Sequence, residues 1–155
     1  MKRVIIVLGV LTFVSMAAVA MAADTATLTV RATVSQTCRF QGGPNPSLTL
    51  DFGALDPVAA PVVNTSTSIQ FNCNGVAPTV TANNGNNFSG SRRMSDGAAT
   101  PSFIPYSLTL TPAPNGTEGW GTPRTLTIDG QIAALAYQDF PAGAYTDSVT
   151  ITLTP

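Results

Sequence analysis

The sequence has no histidine, one glutamate (Glu118) and two cysteines, Cys38 and Cys73, among 155 residues. The usual general bases and metal ligands are therefore nearly gone, which excludes most hydrolytic, redox and zinc chemistry. No nucleophile–base pair can be assembled, so the reading is of a protein that is not an enzyme and needs no cofactor or metal. Charge is equally scarce: 7 basic and 8 acidic residues make up 10% of the chain, against about 25% in an average soluble domain. A basic footprint for nucleic acid is absent. The length suits one domain.

The first 22 residues have the grammar of a bacterial-type secretory signal. Lys2 and Arg3 supply the positive start, Val4 to Val14 the apolar stretch, and Ala20-Met21-Ala22 the small residues before a cut. Cleavage after Ala22 is expected, because polar and small residues weaken the second half of the segment as a membrane span. Removing it leaves a lysine-free chain in which five arginines face eight acids, a net charge of −3. Export also sets the redox environment. An isolated cysteine pair in an oxidising compartment is read as a bridge, Cys38 to Cys73, in preference to a reactive thiol that would lack a neighbouring base.

Beyond the signal no helical period is sustained, and short alternating runs recur between Gly, Pro and Asn clusters. This is an all-β pattern. Strands are expected at Thr25–Val34, Ser47–Phe52, Ser66–Cys73, Thr79–Ala82, Ile104–Thr111, Arg124–Ile128 and Asp147–Thr154. Seven or so short strands in about 130 residues favour an immunoglobulin-like two-sheet sandwich over a barrel. The abundant threonine fits, since its branched Cβ suits the pleat and its hydroxyl tolerates water.

The two ends of the mature chain stand out. In Thr25–Val34 the residues Ala26, Leu28, Val30, Ala32 and Val34 share one face, with no interior Pro, Gly or inward charge. Exposed edges of this kind are normally blunted, so an unblunted strand here has two explanations. Either it is the first strand of its own domain, or it inserts along an open edge of another subunit and supplies backbone ladder and side chains together.

Several motifs spread over the mature chain sharpen the choice: Phe52-Gly53 after a strand, Cys73 closing the next, Asn83-Asn84-Gly85, Arg92-Arg93-Met94, Tyr106-Ser107-Leu108, Trp120-Gly121 and Gly130-Gln131. The ending, Ala142-Gly143-Ala144-Tyr145-Thr146-Asp147-Ser148-Val149 followed by a terminal strand, is the most specific. With these the chain resembles the spore coat protein U-like family, which includes pilins of archaic chaperone-usher pili. The resemblance implies a sandwich lacking its seventh strand, filled first by a periplasmic chaperone and then, at an outer-membrane usher, by the N-terminal extension of the next subunit. It implies a division into a signal (1–22), a donor extension (23–34) and a pilin-like domain (35–155). Ala26, Leu28, Val30, Ala32 and Val34 become donor plugs, while Val149, Ile151 and Leu153 border the acceptor groove. The implied product is a surface pilus subunit serving adhesion or biofilm formation. Thr109-Leu110-Thr111-Pro112 departs from the family's usual continuation, which points to a locally different middle loop and to a minor subunit instead of the main shaft pilin, though the subunit's rank, major or minor, stays open. The reading from another class is a self-contained secreted β-sandwich that binds carbohydrate or coats a surface, with Trp120 at its contact region.

Other residues carry plainer expectations. Asp147 is expected to order the turn into the last strand by local hydrogen bonds. Arg92 and Arg93 are expected to be solvated in a Gly-Ser loop or paired with acids such as Asp96. Trp120 is expected to anchor on the sandwich surface.

Overall fold

The computed structural model describes residues 23–75, 78–112 and 119–155, so the expected signal at 1–22 lies outside the described residues. The chain divides into two units, Met1–Thr33 and Val34–Pro155. In the first, residues 23–33 are exposed and carry no strand.

The second unit is all-β. Its strands are β1 (Thr37–Phe40), β2 (Val63–Asn74), β3 (Thr79–Ala82), β4 (Arg92–Ser95), β5 (Phe103–Pro112), β6 (Arg124–Ile132) and β7 (Ile151–Thr154). They form a five-stranded sheet in the order β1-β2-β6-β5-β4 and a two-stranded sheet of β3 and β7, with every pairing antiparallel. This is an incomplete β-sandwich. The alternation of β2 and β6 sets its core: Ile69, Phe71 and Cys73 turn inward from one, Leu126, Ile128 and Ile132 from the other. Because side chains alternate with a period of two, the intervening Ser, Thr, Asn and Gln residues cover the outer face.

Two apolar clusters result. One contains Ile69, Phe71, Cys73, Leu126 and Ile128, flanked by Leu108, Leu110, Ile151 and Leu153. The other contains Ala60, Ile104, Ile132 and Tyr137, flanked by Phe52, Met94, Tyr106 and Tyr145. Cys38 lies directly opposite Cys73 in the β1–β2 register, and the two form a disulfide.

Several strand expectations are corrected. Thr25–Val34 has no ladder despite its clean alternation, and Leu28, Val30 and Val34 are 85%, 82% and 84% exposed. Ser47–Phe52 keeps its inward face at Leu50 and Phe52 but pairs with no strand, and Asp147–Thr150 is likewise outside β7. An alternating run becomes a strand only when another backbone lies beside it, which local pattern does not report. The short strands β1 and β4 were not expected. Arg92 and Arg93 lie in β4, not in a loop, and neither bonds Asp96. Arg92 donates to the carbonyls of Ala82 and Asn83, while Arg93 donates to that of Asn87 and lies 4.1 Å over the Phe103 ring. A guanidinium with five donors can satisfy loop carbonyls that no ladder reaches.

Candidate functional site

Two adjoining concavities that share Leu48, Val149 and Ile151 form a cleft with an aliphatic floor, whose two banks are residues 48–52 and residues 145–153. Its floor is the inner face of the large sheet, formed by Ile69, Leu108 and Ile128, with Met94 and Tyr106 toward one end. Cys38 and Phe40 line the other end.

Gly130 lets the first bank lie close to the sheet. It is a buried position in the middle of β6, where a Cβ would come within 2.6 Å of Leu50 Cδ2 and 2.9 Å of Phe52 Cζ. A glycine inside a strand thus opens the space that two larger side chains fill. Phe52 also meets Tyr106 edge to face, with ring centroids 6.2 Å apart. Among the described residues, no backbone-to-backbone hydrogen bond joins residues 47–55 to another segment.

The second bank has one bonded edge and one open edge. Thr154 and Thr152 pair with Thr79 and Thr81, the Asn83 N–H donates to the Thr150 carbonyl at 2.9 Å, and Thr146 exchanges two 2.8 Å bonds with Ser95. On the bank these are even-numbered positions; Ile151 and Leu153 stand opposite Ala82 and Val80 at the intervening, non-hydrogen-bonded places of the same ladder. In an antiparallel strand the N–H and C=O of one residue point to the same side and alternate along the chain, so the odd-numbered positions turn theirs the other way. By that alternation Asp147, Val149, Ile151 and Leu153 turn their backbone groups away from β3 and toward the cleft, and among the described residues no strand is bonded to that edge of β7. Their side chains are half-buried and enter the same cleft.

Near the Tyr145 end the cleft becomes polar at one point. Asp147 accepts the Tyr106 hydroxyl at 2.6 Å on one oxygen, and on the other the N–H groups of Asn86 and Asn87 at 2.9 and 3.2 Å. The expectation of a local turn for Asp147 is corrected: its partners lie 41 to 61 residues away. Burial pushes the Tyr106 phenol well above its ordinary range, donation to Asp147 and that carboxylate's charge push the same way, and Arg92 opposes them. Gly85, at φ +85°, passes so close to the Asp147 carboxylate that a Cβ there would collide with it.

Val149, Ile151 and Leu153, expected from sequence at a groove edge, line this cleft. The cleft also uses residues that sequence reasoning missed: Leu48 and Leu50 as an unladdered bank, Gly130 beneath them, and Tyr106 with Asp147. The motifs that hold Tyr106, Gly130 and Asp147 and the alternation of Ser47–Phe52 were visible in the sequence, but none of them reports which residues touch. Trp120 sits in a turn whose carbonyl accepts a bond from Asn72 Nδ2 at 2.7 Å, with its side chain 45% exposed.

The Spore Coat Protein U domain family model matches residues 24–152, a span that takes in the first bank of the cleft, all of the second bank but Leu153, and the alternating segment before β1. Comparison with curated proteins gives no match.

Proposed function

The chain belongs to the Spore Coat Protein U domain family, and from that premise we propose that it is a structural subunit of a surface pilus, assembled by strand donation between successive subunits. The family is of structural, pilin type, associated with pilus-like surface subunits and not with catalysis. On this reading the chain is exported through the periplasm, held there by a chaperone that fills the cleft, and passed to an outer-membrane usher. The next subunit's extension then takes the chaperone's place.

One observation carries the reading: the molecule has an apolar cleft with an open backbone edge, and also an apolar alternating segment outside any ladder. Val149, Ile151 and Leu153 turn backbone groups and side chains to the same cleft. Leu28 and Val30, by contrast, stand more than four-fifths exposed on a segment that has what such an edge requires. A long alternating apolar segment left in water is an aggregation hazard unless it has a destination. Burying Ala26, Leu28, Val30, Ala32 and Val34 would contribute on the order of 5–10 kcal/mol before ordering costs, with the ladder adding direction.

Deleting residues 24–31 tests this. Subunits that still capture a chaperone but no longer form fibres are the expected result. Normal polymerisation of the truncated chain would end the proposal and favour the self-contained secreted sandwich.

A further inference from the structure

We propose that the Tyr106–Asp147 pair gauges the incoming strand, admitting Ala32 beside it and so setting the donor's direction and register; this rests on the strand-donation reading above.

Five side chains enter the cleft from the second bank: Tyr145, Asp147, Val149, Ile151 and Leu153. The Tyr145 hydroxyl is turned aside, donating to the Pro141 carbonyl at 2.9 Å. Of these five, Asp147 is the one that keeps a charged group facing the donor's path. One of its oxygens receives Asn86 N–H, Asn87 N–H and Asn87 Nδ2, and the other receives Tyr106. A bulky aliphatic side chain laid over this carboxylate would strip water from it and return no hydrogen bond, an unfavourable exchange. A methyl group covers far less of it.

The donor row also has five positions, and its sizes run small, large, large, small, large: Ala26, Leu28, Val30, Ala32, Val34. Full overlap of five positions on five permits one antiparallel and one parallel alignment. The antiparallel one sets Val34 at Tyr145, Ala32 at Asp147, Val30 at Val149, Leu28 at Ile151 and Ala26 at Leu153. The parallel one sets Leu28 at Asp147. A slip by two in the antiparallel sense sets Val30 or Val34 there and leaves one plug unused. Of the two full alignments only the antiparallel one presents a methyl group to the polar point, with Val34, Val30 and Leu28 at Tyr145, Val149 and Ile151 and the small Ala26 at Leu153; a parallel slip that brings Ala26 to Asp147 leaves Val34 without a place. The antiparallel alignment also lets the odd-numbered backbone groups of the bank be taken in antiparallel pairs.

Paired cysteines in the full exported chain test the register, since opposed Cα atoms in such a ladder lie about 5.5 Å apart, within disulfide reach. Fibres are oxidised, denatured and separated without reductant. Leu28→Cys with Ile151→Cys is expected to give a ladder of covalently linked subunits, whereas Ala32→Cys with Ile151→Cys (parallel) and Val30→Cys with Ile151→Cys (slipped) stay monomeric. A ladder from either of the latter pairs instead overturns the register and leaves donation standing. No ladder from any pair also overturns the register; if fibres in addition survive deletion of residues 24–31, donation falls with it. The gauge itself is read from assembly rates. Ala32→Leu is expected to slow polymerisation roughly 10- to 100-fold, and Ala26→Leu, which faces the aliphatic Leu153 with no carboxylate beside it, less than about 3-fold. Equal effects at the two sites overturn the gauging role.

Discussion

The hydroxyl of Tyr106 donates to the carboxylate of Asp147 at 2.6 Å, joining β5 to the segment that enters β7 across 41 residues. The same carboxylate holds the backbone of Asn86 and Asn87, so one side chain ties a strand of the large sheet, a loop and the bank of the cleft.

Tyr106→Phe should lower stability by about 1–2 kcal/mol, because it removes a hydrogen bond to a charged acceptor and leaves the ring in place. The phenol is raised above its ordinary range by burial and by Asp147. Below a pH of about 10 both folded and unfolded chains keep the proton, so the contribution is fully present. Above that the unfolded chain releases its proton first, and stability falls as pH rises. Urea unfolding from neutral to alkaline pH should show this decline in the wild type and a shallower one in the variant.

Gly85→Ala should cost about 2–4 kcal/mol, since the added Cβ meets both a left-handed backbone and the Asp147 carboxylate. Gly97→Ala is the control. Its φ is +69° but nothing lies within 4 Å of the new Cβ, so only the backbone penalty of about 1 kcal/mol applies. Equal thermal shifts for the two variants would contradict the contact.

Gly130→Val should push Leu50 and Phe52 off the sheet and open the first bank, at a cost of about 2–3 kcal/mol from overpacking. Hydrogen exchange should quicken around residues 48–55, and chaperone capture should weaken along with the widened cleft.

Replacing both Cys38 and Cys73 by serine should remove about 4 kcal/mol of stability in the chain-entropy account, given the 35-residue separation. The denaturation midpoint of the variant, compared with that of the oxidised wild type, checks the figure.

Leu28→Asp or Val30→Asp should leave the folded domain's melting temperature unchanged, because both side chains are exposed before assembly. Each should nevertheless reduce fibre formation by roughly 100-fold or more, since a carboxylate forced into an apolar cleft must be neutralised or excluded. Electron microscopy of sheared surface material provides the measurement.

The all-β class, the bridge between Cys38 and Cys73, and the inward faces of β2, β5 and β6 were legible from residue order, because alternation and cysteine content are local or compositional properties. The two charged residues of β4 hid that strand, as their guanidiniums are satisfied by carbonyls of β3 and of the loop after it. Asp147 was misread for a similar reason: its neighbours in sequence suggested a turn, while its partners arrive from β5 and from residues 86–87.

Residue order alone determined which side chains share a face, since a period of two follows from the geometry of the extended backbone. Tertiary structure alone decided which of those faces acquires a ladder. Hydrogen bonds between strands depend on what a distant part of the chain brings alongside, so Ser47–Phe52 and Asp147–Thr150, as regular as β2 in pattern, became the two banks of a cleft in place of two paired strands.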